Sequence, residues 1–216
     1  MRIGYGAGGV SEHLDPSWLT GDPPWLGLFR SWLSEAIAAE LAEPNAMVLG
    51  TVDEHGRPAT RTVLCKGADE SGLTFFTGYA SGKGRDLAAN PYAAVTFPWI
   101  GMERQVHFRG RVSKVDGAET QAYWDSRPRG SQLSARTSAQ SQPIASRADL
   151  EAAAARVAAE FGGVDGDMPI PPPPEWGGYR LEPVRVEFWQ GRADRLHNRA
   201  VAVRDGAGWA VYRLQP

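Results

Sequence analysis

The chain has 216 residues, enough for one substantial core or two small ones, and a single domain is the simpler expectation. Its 23 Lys and Arg against 25 Asp and Glu leave a formal charge of -2, which excludes a broad electrostatic drive toward nucleic acid or an anionic membrane and makes any phosphate recognition local. The lone cysteine, Cys65, excludes an intramolecular disulfide, and no Cys/His cluster has zinc-ligand spacing, so no metal site is expected.

Residues 1–23 read as a partly mobile N-terminal segment, and 24–216 as one domain. Met1 to Val10 is Gly-rich without a basic-then-apolar signal pattern, and no apolar run approaches the ~20 residues a spanning helix requires, so a soluble, cytoplasmic protein is expected. From Pro24 to Leu41 apolar residues recur at helical spacing, predicting an amphipathic helix that stops before Pro44. Ala46 to Val52 and Ala59 to Lys66 read as strands joined by a hairpin turn containing Gly56 and Pro58, and a third strand follows at Leu73 to Thr77. Ser81 to Asn90 reads as a short helix capped by Ser81 and stopped by Pro91, followed by strands at Tyr92 to Trp99 and Gln105 to Val115.

Gly117 to Phe161 turns helical, with an Ala-rich stretch beginning near a Ser146 cap, so a helical insertion interrupts the strands. The proline-rich stretch Gly162 to Glu175 predicts an extended connector. Strands resume at Tyr179 to Phe188, Arg195 to Val203 and Trp209 to Leu214. These late strands are too few to stand alone and are expected to pair with the early ones and close an antiparallel barrel. The fold class is therefore mainly β with flanking helices.

Three segments could carry chemistry. Alternation along a strand would put Arg195, His197 and Arg199 on one face, either as a solvated edge or as a cationic row holding an anion or an electron-rich ring beside Trp189. Arg61 and Lys66 have opposite parity in Arg61, Thr62, Val63, Leu64, Cys65 and Lys66, so a regular strand would send them to different faces. That strand is either half-buried with charged ends or a bearer of two anion sites, since buried cations need paired negative charge. Around Tyr123, Arg127 and Ser131, a hydroxyl capping a following helix together with an arginine would form a phosphate cradle; the alternative is a plain turn between helices. Lys83, at the start of the Ser81 helix, raises the same choice. Gln105 is a possible amide contact to a heterocycle, and His55 and His107 are read as structural.

Taken in order, the segments Arg61 to Lys66, Phe76 and Thr77, Ser81 to Lys83, Phe97 to Trp99, Glu103 to Val106, Ser126 to Arg129, Gln140 and Ser141, Trp176 to Gly178, Glu187 to Gly191, Arg195 to His197 with Arg199, and Arg213 to Pro216 resemble the pyridoxamine 5'-phosphate oxidase family. The resemblance runs from about Pro44 to Pro216. It implies an FMN-binding split β-barrel of Greek-key-like topology and a homodimer with active sites at the subunit interface. The implied activity oxidises pyridoxamine and pyridoxine 5'-phosphate to pyridoxal 5'-phosphate with O2 as acceptor, releasing H2O2.

By position in the motifs, FMN contacts are expected from Arg61, Thr62, Val63, Leu64, Cys65, Lys66, Phe76 and Thr77. Lys83, Gln105, Gln140, Ser141, Trp189 and Arg199 complete that set, with Arg61 and Lys83 on the phosphate. Lys66, Tyr123, Arg127 and Ser131 are expected to hold the substrate phosphate. Arg195 and His197 face the pyridine ring as the catalytic pair, and Arg2 and Tyr5 cover the substrate. Two positions depart from the family pattern: Gly82 stands where an arginine is common, and Arg136 where an aromatic is. Competing readings are a phenazine-type flavin oxidase, a deazaflavin-dependent reductase, and a non-catalytic flavin or pyridoxal phosphate carrier.

Overall fold

The computed structural model describes Tyr5 and residues 13–216; Arg2 lies outside the described residues. From Leu14, which is fully buried, the chain is packed on the core, so part of the segment expected to be mobile belongs to the main body. Helix α1 (Leu26–Ala38) buries Leu26, Phe29, Trp32 and Ala36, a spacing that keeps one face inward. Hairpin strands β1 (Ala46–Val52) and β2 (Pro58–Leu64) follow. In their turn Asp53 Oδ1 accepts the His55 and Arg57 amides at 2.9 and 2.8 Å, and Gly56 supplies a φ of 78°.

Next come β3 (Gly67–Asp69), β4 (Gly72–Gly78) and helix α2 (Gly82–Ala89), whose Ser81 cap accepts the Gly84 amide at 3.3 Å. Strands β5 (Tyr92–Trp99) and β6 (Arg104–Lys114) precede helices α3 (Gly117–Asp125), α4 (Arg129–Thr137) and α5 (Arg147–Glu160). The chain ends in β7 (Trp176–Gln190), β8 (Asn198–Asp205) and β9 (Gly208–Arg213).

Among the described residues the strands form one nine-stranded antiparallel sheet in the order β2-β1-β5-β6-β7-β4-β3, with β8 on β7 and β9 on β8. Strand β7 is its spine: β6 follows its length, β4 pairs with its first half and β8 with its second. The sheet curls until β2 approaches β4, giving a split half-barrel. Its inner face meets α1 in an aromatic core where Phe29 lies 4.9 Å from Phe97 and 5.2 Å from Phe108, edge to face. A smaller core under the helical insertion gathers Trp124, Leu133, Phe161, Ile170 and Trp176.

Two expectations about elements need correction. The strand expected from Arg195 begins only at Asn198. Residues Ala193–Arg195 form a 3-10 turn in which Asp194 and Arg195 have φ of 56° and 63°, so Arg195, His197 and Arg199 do not alternate along one strand. The expected strand Ala59 to Lys66 stops at Leu64, and a short additional strand, β3, follows.

Candidate active site

Where β2 and β4 draw together, a cavity of about 880 Å³ opens under α2 and α4. That volume suits a cofactor with its substrate. Arg61, Thr62, Val63 and Leu64 line it from β2, Lys66 from the link to β3, Phe76 and Thr77 from β4, and Lys83 from α2. Tyr123, Arg127, Ser131, Gln140 and Ser141 close it from the helical insertion. Arg61 and Lys66 share this one cavity because the chain leaves strand geometry after Leu64, so the parity that would separate them no longer applies. Cys65 is the exception in its segment. Its side chain is buried in the main core, and burial pushes the thiol pKa up to about 11.

Four cations therefore converge in a chain of net charge -2. The Lys83 ammonium is buried and donates to Thr77 Oγ1 at 3.0 Å, Gln140 Oε1 at 3.3 Å and Ser81 Oγ at 3.4 Å. Burial, followed by the neighbouring Arg61, lowers its pKa, and Asp86 opposes that shift. Arg127 lies 4.8 Å from the Trp176 ring and 5.4 Å from the Trp124 ring and donates one Nη to the Ser131 carbonyl at 2.7 Å. Its Nε is buried without a partner. Among the described residues Lys66, Lys83 and Arg127 form no ion pair. This donor set fits phosphate monoesters, which would supply the missing anions through charge-assisted hydrogen bonds.

Ser131 reaches the cavity by a route other than the one expected. Helix α4 begins at Arg129 after Pro128 with no side-chain cap, and Ser131 sits within its first turn rather than capping it. The site also draws on residues that sequence reasoning missed. Trp176 supports Arg127, while Asp86 and Thr51 stand behind Arg61, Asp86 Oδ2 lying 3.3 Å from Arg61 Nη2. Only the segment Trp176 to Gly178 carried a sequence signal, an aromatic followed by two glycines. The two departures from the family pattern are accommodated. A Cβ at Gly82 would rest in ordinary contact, 3.6 Å from Ser141 Oγ, and Arg136 turns to the Phe161 ring at 5.0 Å and the Pro171 carbonyl at 3.0 Å.

The remaining expected contacts lie elsewhere in the chain. Gln105, Trp189 and Arg199 are neighbours across β6, β7 and β8, forming a row on the outer face of the sheet. Arg199 is ion-paired to the buried Glu187 at 2.7 Å. His197 packs on Trp189 with 4.6 Å between ring centroids, and the Tyr5 ring lies 5.6 Å from both. The Arg192 amide donates to His197 Nδ1 at 3.0 Å, so the neutral imidazole carries its proton on Nε2; desolvation and then Arg195 lower its pKa. Arg195 stands beside it on the strained turn.

This second set is not in the cavity. Thr77 pairs with Gly177 near the start of β7, whereas Trp189 lies twelve residues further along, about 40 Å of strand at ~3.3 Å per residue. The structure thus brings together Arg61, Lys66, Lys83, Arg127 and their neighbours, and separately Gln105, Trp189, His197 and Arg199. It does not unite the two sets within one chain.

A curled antiparallel half-barrel with flanking helices and a phosphate-suited cavity at its split defines the flavin-binding split-barrel class. Comparison with known proteins refines this. Residues 33–160 match the family model described as pyridoxamine 5'-phosphate oxidase, and residues 176–216 match the pyridoxine 5'-phosphate oxidase C-terminal dimerisation region. The chain belongs to the pyridoxamine 5'-phosphate oxidase family, a family of oxidoreductases. It is 55% identical over 218 residues to the pyridoxine/pyridoxamine 5'-phosphate oxidase of Mycobacterium sp. (strain JLS), covering 100% of both chains. It is 53% identical to that of Rhodococcus jostii (strain RHA1), covering 100% of this chain and 97% of the relative. Among solved structures it is similar to PhzG from Burkholderia lata in complex with tetrahydrophenazine-1-carboxylic acid, with a TM-score of 0.86, 32% identity, and 95% and 98% of the two chains covered. A pyridoxamine 5'-phosphate oxidase-related, FMN-binding protein from Nostoc punctiforme shares the fold at a TM-score of 0.71, 22% identity, and 89% and 97% coverage. Among the described residues no helix is long and apolar enough to cross a membrane.

Proposed function

We propose that the protein is an FMN-dependent oxidase that converts pyridoxamine and pyridoxine 5'-phosphate to pyridoxal 5'-phosphate, acting as a homodimer in the cytoplasm in vitamin B6 synthesis or salvage. The observation that carries this reading is the convergence of Arg61, Lys66, Lys83 and Arg127 on one cavity, more positive charge than a single phosphate requires. Arg61 and Lys83 hold the FMN phosphate, with Thr62, Val63, Leu64, Phe76, Thr77, Gln140 and Ser141 along the rest of the cofactor. Lys66, Tyr123, Arg127 and Ser131 hold the substrate phosphate. The match of β7 to β9 to a dimerisation region supports completion of each site by a second copy. Gln105, Trp189 and Arg199 of the partner subunit then meet the flavin, and Arg195 and His197 of the partner subunit face the pyridine ring.

Bound FMN supplies a two-electron acceptor that O2 regenerates with release of H2O2. The chain contributes position. Clamping both phosphates turns a bimolecular encounter into an oriented one. His197, neutral with its proton on Nε2, donates a hydrogen bond to the substrate, and Arg195 supplies fixed positive charge beside it. Tyr5, edge-on to His197 and Trp189, covers the ring-binding face.

Purified protein supplied with FMN and pyridoxamine 5'-phosphate is expected to form pyridoxal 5'-phosphate and H2O2 in equal amounts. Protein that retains FMN yet forms neither product contradicts the proposal. Arg195→Ala and His197→Ala should each lower turnover roughly a hundredfold while flavin stays bound. Loss of flavin without a separate catalytic defect removes their assignment. The likeness to PhzG favours a second reading, oxidation of a phosphate-free tricyclic acid. Lys66, Arg127 and Ser131 argue for the phosphorylated substrate, and faster turnover of a tricyclic acid in the same assay would reverse that choice.

A further inference from the structure

Arg61 differs from the other cavity cations in being braced from behind. Its Nη2 lies 3.3 Å from Asp86 Oδ2, its Nη1 donates to Thr51 Oγ1, and that hydroxyl donates to the same Asp86 oxygen at 2.6 Å. Three elements, β2, β1 and α2, thus close a small ring of hydrogen bonds around one guanidinium. Thr51 is 1% exposed, and neither Thr51 nor Asp86 lines the cavity, so they act on a ligand indirectly, Thr51 through Arg61 and Asp86 through Arg61 and its charge near Lys83. Asp86 also follows Lys83 by three residues on α2, which places a single carboxylate behind two cations.

A carboxylate behind an anion site has two opposed effects. Its charge repels an incoming phosphate, whereas its hydrogen bond fixes a flexible side chain in advance and removes the entropy cost of ordering it on binding. With Thr51 gripping the other nitrogen, the geometry favours the second effect.

We propose that Thr51 and Asp86 are positioning residues that aim Arg61 at a phosphate monoester and so set the preference of this site for a phosphorylated over an unphosphorylated flavin. The inference rests on reading the cavity as the FMN site. It assigns Thr51 and Asp86 no contact with the cofactor.

The test compares dissociation constants for FMN and riboflavin, read by flavin fluorescence, in the wild type and in Thr51→Val, Thr51→Ser and Asp86→Ala. Thr51→Val changes no charge and little shape, so its effect isolates the positioning. Both Thr51→Val and Asp86→Ala are expected to lose roughly tenfold of the preference for FMN while riboflavin binding stays near wild type. Thr51→Ser, which restores the hydroxyl, should return the preference to within about twofold. An unchanged preference in Thr51→Val, tighter FMN binding in Asp86→Ala, or equal loss of both flavins overturns the proposal. If Asp86→Ala does not fold, the two Thr51 variants decide the matter alone. A wild type that does not distinguish FMN from riboflavin refutes the reading of the cavity itself, and the inference with it.

Discussion

Lys83 donates to three neutral oxygens, and burial with Arg61 nearby pulls its pKa below the ordinary lysine value of 10.5. In the window just below 10.5 the unfolded chain binds the proton that the folded apoprotein has released, so apoprotein stability rises with pH across it. A bound phosphate reverses the preference by stabilising the ammonium. FMN affinity should therefore fall as pH climbs toward 10.5, and Lys83→Met should bind weakly with little pH dependence in that range. Flavin titrations at stepped pH measure this, and a wild-type affinity that does not change with pH contradicts the role given to Lys83. At this scale the cations were legible in the sequence because charged side chains inside strand patterns stand out. Thr51 and Asp86 were not. A threonine in a strand and an aspartate in a helix are ordinary there, and nothing in the spacing of 51, 61 and 86 says that they meet. Cys65 sits among cavity residues in sequence but turns into the core, where its raised pKa keeps the thiol protonated at neutral pH.

The segment Trp176 to Gly178 shows how an element builds the site indirectly. Phe76 lies 3.9 Å from Tyr123 and 5.7 Å from Trp176 in nearly parallel rings, and Trp176 in turn supports Arg127. A Cβ at Gly178 would come within 2.5 Å of Val115 and 2.8 Å of the Phe76 ring, so the close approach needs a glycine. Gly178→Ala is expected to cost about 1–3 kcal/mol by overpacking, lowering Tm by several degrees, and to raise KM for the phosphorylated substrate through the displaced Phe76 and Tyr123. Thermal melts and steady-state kinetics check both, and an unchanged KM would separate the ring stack from substrate binding. Strands β1 and β5 were legible because turn-forming residues bound their runs, Pro44, Asn45 and Asp53 around β1 and Asn90 and Pro91 before β5. Strand β3 escaped because three residues carry no period. The start of β8 was misplaced because Asp194 and Arg195 take up left-handed backbone that composition does not announce. The role of Ser131 as a cap failed because the helix begins earlier, at Arg129 directly after Pro128, which leaves Ser131 inside the first turn.

Over the whole molecule the long strand β7 separates the residues proposed to bind phosphate from those proposed to meet the rings. Its first residues face Phe76 and Thr77, and its last carry Trp189 between Gln105 and Arg199. The antiparallel barrel was legible from the order of strands, since three late strands beyond the helical insertion had no other sheet to join. The separation of the two half-sites was not, because it depends on register and curl rather than on pattern. In the proposed enzyme one working site needs both ends of β7, supplied by two chains. Mixing Arg61→Ala protein, disabled in the cavity, with Arg199→Ala protein, disabled at the far end, tests it after dissociation and reassociation. Random pairing leaves one intact site in each hybrid dimer, so the mixture should recover about a quarter of wild-type activity where each parent alone is nearly inactive. A mixture no more active than its parents would contradict the shared site.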